Sequence, residues 1–548
     1  MRFATNNLIF LLATLLCVLL GGTGWANILT TKHNLSISGP GTVTASTEAR
    51  VCIFCHTPHH ATAVTPLWSR KTSNAIYNLY GSSTLVAQPG QPTGSSRLCL
   101  SCHDGTIANG MLEGFTEAIP MSGGVTTMPL GLTNLETDLS DDHPISFAYT
   151  STLAAQRGEL SDPLSLPAEI KLEEGEMLQC TSCHNPHKNP HGMFLVMDNT
   201  GSALCLSCHS KTGWPTSSHA TNLAVVAQAC QGCHQNHGAP GAKHLLQNAA
   251  EEDNCMTDCH NGIGPGQDVL ATSSKFYNHP LDFAAGLHDL TEDPLAMPRH
   301  VECADCHNPH QVNATDAPLA AAPAVNGRLQ GVRGVDSSGL TVAPATNEYE
   351  VCFKCHADNA FVATSQIVRV IQENNERLRF DNSNPSFHPV TAQGVNPDVP
   401  SLDPGYTTYS ETSWIYCTDC HGSDSSVKTG GVGADGPHGS IYPHILIDRY
   451  EQDTYPLTYS LDNYALCWRC HDPNALFNPM VSTFGNSHKS HVQTKGVPCS
   501  ACHDPHGVSA AGGATSTGNA HLINFDVRFV DPLTASYDSL AKSCTVSC

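Results

Sequence analysis

The stretch "VCIFCHTPHH", residues 51–60, places two cysteines and three histidines within ten positions. Cys52 and Cys55 are three residues apart, which is close to one helical turn, and His56 follows directly. The pattern Cys-x-x-Cys-His occurs ten times in the 548 residues, and an eleventh copy, "CMTDCH" at Cys255, has one extra residue between its cysteines. Repetition on this scale is not coincidence, so the pattern determines how the chain is organised.

Twelve cysteine pairs account for 24 of the 25 cysteines, and Cys17 near the N-terminus is the remaining one. The last pair has the wider spacing, and the sequence stops before a histidine could follow it. The pairs are Cys52 and Cys55, Cys99 and Cys102, Cys180 and Cys183, Cys205 and Cys208, Cys230 and Cys233, Cys255 and Cys259, Cys303 and Cys306, Cys352 and Cys355, Cys417 and Cys420, Cys467 and Cys470, Cys499 and Cys502, and Cys544 and Cys548. The motif histidines are His56, His103, His184, His209, His234, His260, His307, His356, His421, His471 and His503.

Covalent attachment of haem c explains both the spacing and the histidine. Two thiols one turn apart can bond the two vinyl groups of one haem, and the next residue then offers its imidazole to the iron. Zinc sites do not require a histidine directly after the second cysteine, and local disulfides leave the eleven histidines unexplained. We therefore predict eleven complete haem c sites. For Cys544 and Cys548 we expect a twelfth site in a truncated chain, with a disulfide or two free thiols as the alternative.

Twenty histidines lie outside the motifs, and an iron with imidazole on both faces needs one of them per haem. Five follow a motif histidine by three residues and cannot wrap around their own haem, so we expect them to ligate a neighbouring one: His59, with His60 as an adjacent alternative, His187, His237, His310 and His506. Three precede proline in loops: His143, His279 and His388. Further candidates, for which an exposed or hydrogen-bonded side chain is the alternative, are His33, His219, His244, His438, His491 and His521. The methionines follow no repeated spacing, so we expect bis-histidine haems of low potential.

The composition restricts the partners and the location. With 49 acidic and 26 basic residues, the net charge of −23 argues against nucleic acid or an anionic membrane as partner. Residues 1–26 combine the basic Arg2 with an apolar run from Leu8 to Leu20, which predicts an export signal. The run is too short to span a bilayer and no later segment is apolar enough, so we expect no integral membrane segment after leader removal.

The motif cysteines at 180, 205, 230 and 255 are 25 residues apart, and other intervals are near twice that. We predict an irregular fold of mostly loops and short α-helices around a chain of covalently bound haems, with few short β-strands. One amphipathic helix is expected in "SQIVRVIQENNERLRF", residues 365–380. The predicted regions are the signal peptide 1–26, an N-terminal dihaem module 27–156, a tetrahaem region 157–270, a dihaem module 271–400 with a long linker or loop 311–350, and a C-terminal haem region 401–548.

The stretches "ISGPGTVTASTEARVCIFCHTPHH", "RLCLSCHDGT", "DDHPISF", "GPHGS" and "PCSACHDPHG" resemble exported multihaem c-type cytochromes with doubled Cys-x-x-Cys-His motifs, as in metal-respiring bacteria. The resemblance implies closely spaced haems that carry electrons in anaerobic or extracellular respiration. It implies a periplasmic, outer-surface or extracellular location. The implied partners are other cytochromes or an outer-membrane complex, with an extracellular acceptor or a homopolymer as further possibilities.

The same resemblance implies an electron-transfer protein without catalytic residues. The alternative is a multihaem reductase of a small nitrogen or sulfur oxyanion, which needs one haem with an open iron face. Such a site is often marked by lysine in place of the motif histidine, and no Cys-x-x-Cys-Lys occurs in the sequence.

Overall fold

A computed structural model describes residues 28–59, 61, 67–281, 289, 291–298, 300–314, 321–359, 367–452 and 456–547. The predicted leader 1–26, His60 and Cys548 lie outside these residues. The chain divides into two compact units, Met1–Lys211 with Ala227–Gln247 and Thr212–Val226 with Asn248–Cys548. The predicted region boundaries stay predictions.

The helices are short, and most of the motif cysteines lie in or beside one. The two longest, Gly94–His103 and Glu348–His356, both end on a motif histidine. The other α-helices are Ser151–Arg157, Cys180–Cys183, Ala203–Cys208, Ser218–Thr221, Leu223–Val226, Glu251–Met256, Val269–Ser273, Cys303–Cys306, Glu376–Arg379, Ala465–Trp468, Pro473–Leu476 and Gly485–His488, and a π-helix spans Lys489–Thr494. Single 3₁₀ turns are Ile28–Thr30, Cys52–Phe54, Ser122–Gly124, Pro163–Ser165, Thr200–Ser202, Trp214–Thr216, Ala229–Gly232, Ala242–His244, Gly327–Leu329, Cys417–Asp419, Val427–Thr429, Pro443–Ile445, Leu461–Tyr464, Cys499–Ala501 and Ala520–Leu522.

The strands are two or three residues long and form two-stranded ladders. Asn78–Leu79 pairs in parallel with Asp138–Leu139. The antiparallel pairs are Phe147–Ala148 with Met177–Leu178, Tyr277–Asn278 with Gly439–Ser440, Gly334–Val335 with Thr341–Val342, and Ser536–Asp538 with Ser543–Thr545. The prediction of mostly loops and short helices with few small strands is confirmed. Among the described residues no helix combines the length and apolarity needed to cross a bilayer.

The apolar core is distributed over small separate clusters. The largest surrounds Phe353 and Phe387, which are 1% and 5% exposed, and includes Val335. Val332 and Val335 are buried and lie within residues 311–350, the segment predicted as a linker or loop. Clusters of this size bury too little apolar surface to stabilise a chain of this length alone.

The amphipathic helix predicted for residues 365–380 is wrong. Within the described part of that segment, only Glu376–Arg379 is helical. Val370 donates its backbone N–H to the carbonyl of Phe525 at 2.9 Å, and Ile371 bonds the Asn524 side chain through both its N–H and its carbonyl. Pairing with a distant segment satisfies the backbone in an extended conformation, and this outweighs the local helical periodicity.

Glu302 sits at the start of helix Cys303–Cys306 and is almost fully buried. Burial, and then the charges of Glu251 and Glu252, raise the pKa of Glu302 to about 8. An unfolded glutamate has a pKa of about 4.3, so the folded chain holds a proton that the unfolded chain releases. The stability contributed by this group is full below about pH 4 and is lost as the pH rises to 8.

We expect Glu302→Gln to raise the free energy of unfolding at pH 8 by about 1–2 kcal/mol, less than the full pKa shift implies because solvent screens part of the charge. The amide can still accept the helix N–H bond, and at pH 4 the variant should match the parent. Denaturant unfolding at both pH values measures this, with the exposed Glu169→Gln as control. An equal gain at both pH values would contradict the assignment.

Candidate functional site

The motif cysteines are held on single turns by a bond that recurs along the chain. The backbone N–H of His56 donates to the carbonyl of Cys52 at 2.8 Å, and His184 does the same to Cys180 at 2.9 Å. The same bond, at 2.9–3.0 Å, joins His209 to Cys205, His234 to Cys230, His307 to Cys303, His421 to Cys417, His471 to Cys467 and His503 to Cys499. Each bond closes one turn, so that both thiols and the following histidine belong to one local unit.

The wider motif at Cys255 keeps this bond. The N–H of His260 donates to the carbonyl of Cys255 at 3.0 Å, five residues back instead of four. The extra residue is taken up as a locally wider turn of the π type. The connection between the first cysteine and the histidine is thus the same as in the regular motifs.

Cys544 lies in a different setting. It is exposed and forms part of strand Ser543–Thr545, where it pairs with Tyr537. This extended backbone differs from the helical turns of the other motifs. Its role as a twelfth haem site stays a prediction.

Ten motif histidines face a second histidine from a distant part of the same unit. The ring centroids are separated by 6.0 Å for His56 and His187, 6.2 Å for His103 and His33, 6.2 Å for His184 and His237, 6.2 Å for His209 and His143, 6.4 Å for His260 and His219, 6.1 Å for His307 and His438, 6.1 Å for His356 and His279, 5.9 Å for His421 and His506, 6.4 Å for His471 and His388, and 6.2 Å for His503 and His488. The spacing is nearly constant although the sequence separations vary widely.

Nδ1 of about half of the paired rings has the same kind of partner. In eleven of the paired rings, Nδ1 lies within hydrogen-bond distance of a backbone carbonyl, as for His33 with Pro186 at 3.0 Å and His219 with Pro309 at 2.8 Å. A carbonyl only accepts, so Nδ1 carries the hydrogen and Nε2 keeps its lone pair. That tautomer is the one that can bind a metal through Nε2.

Several of the accepting carbonyls come from a strained turn. His184 bonds the carbonyl of Met193, and Met193 and Phe194 have φ values of 46° and 58°. The same arrangement joins His421 to His444 at 2.8 Å and His503 to His521 at 3.0 Å, with φ values of 62° at His444 and 55° at His521. Left-handed backbone is costly for residues with a Cβ, so these turns are maintained by their surroundings.

Burial keeps many of these imidazoles neutral. Desolvation lowers the pKa of His503 to about 3 and that of His471 to about 4. Burial and the neighbouring His143 lower the pKa of His209 to about 3. A neutral ring at ordinary pH is the form that coordinates a metal ion.

Nine of the histidines predicted as second ligands occupy these facing pairs: His33, His143, His187, His219, His237, His279, His388, His438 and His506. Other predicted ligands lie elsewhere. His59 is exposed, the His310 ring is 6.2 Å from Trp214, and His491 contacts the Ser487 carbonyl at 2.8 Å. The backbone carbonyl of His244 lies 2.9 Å from Nδ1 of His234, and that of His521 lies 3.0 Å from Nδ1 of His503. Haem ligation by each of these residues stays a prediction.

Sequence reasoning missed His488, which faces His503. The segment "HKSH" offers two histidines, and the sequence-based prediction names His491, the second of them. Two carboxylates were also missed, since both lie far in sequence from the rings they contact. Asp142 Oδ1 is 2.9 Å from Nδ1 of His237, and Glu376 Oε2 is 2.8 Å from Nδ1 of His506.

Consecutive motifs adjoin each other through their cysteines. In four places the first cysteine of one motif raises the pKa of the first cysteine of a neighbouring motif: Cys180 acts on Cys99, Cys230 on Cys205, Cys255 on Cys303, and Cys352 on Cys417. The remaining neighbours within each unit interact electrostatically: Cys55 with Cys102, Cys183 with Cys208, Cys306 with Cys355, Cys420 with Cys470, and Cys467 with Cys499. Inside each unit the motifs therefore follow one another in space in their order along the chain.

Residues 172–213 match the family model described as "Doubled CXXCH motif". This segment contains the helices Cys180–Cys183 and Ala203–Cys208, with His184 and His209 directly after them. The match supports a multihaem c-type cytochrome family, with haem c as cofactor. A comparison with curated proteins finds no match to the chain.

The angle between the planes of the facing rings varies from pair to pair. The rings of His56 and His187 are 20° from parallel, those of His421 and His506 are 45° apart, and those of His143 and His209 cross at 78°. Because the relative orientation of two axial imidazoles affects the electronic state of a ferric haem, we expect a spread of low-spin signals in electron paramagnetic resonance of the oxidised holoprotein. The most nearly perpendicular pairs should have the largest maximum g values. A single homogeneous signal would contradict these orientations.

Proposed function

We propose that the protein is an electron carrier with eleven haem c groups, each attached by a motif cysteine pair and ligated by the motif histidine. The facing histidine serves as the second ligand in the ten paired sites. The observation that carries this proposal is the near-constant separation of the ring centroids, between 5.9 and 6.4 Å.

The spacing fits one metal ion between each pair of rings. A metal bond to imidazole nitrogen is about 2.0–2.1 Å long, so two rings on opposite sides of one ion have centroids roughly 6 Å apart. The Nδ1 contacts support the same interpretation, because ligating histidines typically donate their other ring N–H to a carbonyl or carboxylate. The donor set therefore fits haem iron with two imidazoles.

The order of the motifs supports electron transfer. Haem supplies one-electron redox chemistry, and the protein sets its position, ligands and exposure. Consecutive cysteine pairs lie near each other within each unit, which supports haems attached side by side. The chain holds the cysteine pairs next to one another and keeps two imidazoles at each paired site. Two imidazoles leave no open face on the iron, and this favours a carrier over a reductase.

The proposal extends to an exported protein of anaerobic or extracellular respiration, located in the periplasm, at the outer surface or outside the cell. The N-terminal sequence and the resemblance to exported cytochromes support it. The net charge of −23 favours redox protein partners with basic docking surfaces over nucleic acid. A soluble or surface-bound cytochrome, an outer-membrane complex and a second copy of the chain are the partners to test.

The haem content tests the proposal directly. After expression with a cytochrome c maturation system, intact mass and a haem-specific absorbance assay should give eleven covalent haems per chain. Expression without that system is the control and should yield an unfolded chain, because ligation and folding are coupled. Fewer than ten haems, or a compact haem-free chain, would contradict the proposal.

His488 and His491 offer a matched pair of variants for the ligand assignment. We expect His488→Ala to leave the haem attached at Cys499 and Cys502 with one imidazole, producing a high-spin ferric signal equal to about one haem in eleven. His491→Ala should stay entirely low-spin, because its ring bonds the Ser487 carbonyl. The opposite result, a high-spin signal only in His491→Ala, would assign the ligand to the second histidine.

A further inference from the structure

In two of the ten histidine pairs a carboxylate lies beside Nδ1 of the distal ring. Eleven paired rings bond a neutral backbone carbonyl through Nδ1, and His471 contacts the Ser401 hydroxyl. His237 and His506 instead face a carboxylate, from Asp142 and Glu376 respectively. One such pair lies in each of the two units.

Asp142 is held in a fixed position behind His237. The residue is 4% exposed, its Oδ1 accepts from His237 Nδ1 at 2.9 Å, and the same oxygen accepts from the Gly238 backbone at 3.3 Å. Within the described residues no lysine or arginine forms an ion pair with it. The negative charge of Asp142 therefore lies beside the His237 ring without a lysine or arginine of the described residues to balance it.

Glu376 occupies a similar position but has a cationic partner. Its Oε2 is 2.8 Å from Nδ1 of His506, while Arg379 contacts Oε1 at 2.8 Å. Arg379 also pairs with Asp504, so the guanidinium is shared between two carboxylates. The negative charge at His506 is thus partly compensated.

A carboxylate beside Nδ1 of an axial imidazole changes how strongly that ring donates electrons to the iron. It withdraws the Nδ1 proton toward itself, which makes the ring a stronger electron donor to the metal. A stronger donor and a buried negative charge both favour the ferric state over the ferrous one. The effect should be larger where no cation lies nearby.

We propose that Asp142 and Glu376 lower the reduction potential of one haem each, namely the haem held by His184 and His237 and the haem held by His421 and His506, with Asp142 having the larger effect. The inference rests on the proposed haem ligation. It assigns each unit one site that is harder to reduce than sites whose rings bond neutral carbonyls. Both carboxylates act through a ligand and are positioning residues.

The test is a spectroelectrochemical titration of the haem-loaded full chain with the isosteric variants Asp142→Asn and Glu376→Gln. Asp142→Asn keeps an oxygen that can accept the Nδ1–H of His237, and Glu376→Gln keeps the size of the side chain beside His506, but neither amide carries a charge. We expect one of about eleven one-electron steps to move to higher potential, further for Asp142→Asn than for Glu376→Gln. Asp141→Asn is the matched control, because it removes a charge from the adjacent residue, whose side chain does not contact the ring.

A spectroscopic signature separates electrostatic tuning from a folding defect. The near-infrared charge-transfer band of the affected low-spin haem should shift in Asp142→Asn and recover in Asp142→Glu, while haem content stays at the parent value. Unchanged potentials in both variants, or an equal shift in Asp141→Asn, would overturn the inference. Low haem content, or high-spin iron at more than one haem of the parent protein, would instead contradict the proposed function, so the two failures are distinguishable.

Discussion

Two imidazole rings held face to face, with centroids near 6 Å apart, are the constraint on which the rest of this structure depends. One ring always follows a cysteine pair on a short turn, whereas the other arrives from a loop that can be more than a hundred residues away, as with His307 and His438. Meeting this requirement ten times leaves little scope for long helices or broad sheets. The irregular backbone is what results when loops must deliver side chains to fixed points.

The small size of the apolar clusters has the same cause as the irregular backbone. A cluster such as that around Phe353 stabilises its own neighbourhood, but the chain has few aromatic residues to build one large core. Covalently attached haems would add apolar surface at every motif and link distant loops through their ligands. The stability of the fold then depends on its haem content, because removing the haems removes both the apolar surface and the cross-links between loops.

Local parts of the structure were predictable, and parts set by distant contacts were not. The cysteine turns follow from the spacing of three residues, and nine of the histidines now seen in facing pairs were identified from their context. Which ring faces which depends on how loops return in three dimensions, so the sequence could not separate His488 from His491. The predicted helix at 365–380 failed for a related reason: Arg369 is buried and bonds the carbonyl of Asn524, which holds the segment extended.

The left-handed turns behind His184, His421 and His503 have a consequence for how this chain can vary. The atom that orients each imidazole there is a backbone oxygen, of Met193, His444 or His521, so this hydrogen bond does not depend on the identity of the side chain at that position. What must persist is the number of residues between motif and turn and the ability to adopt positive φ. Inserting or deleting a single residue in such a segment would move the carbonyl away from Nδ1 and reorient the ring, whereas many substitutions would leave it in place. The design is thus encoded more in segment length than in residue identity.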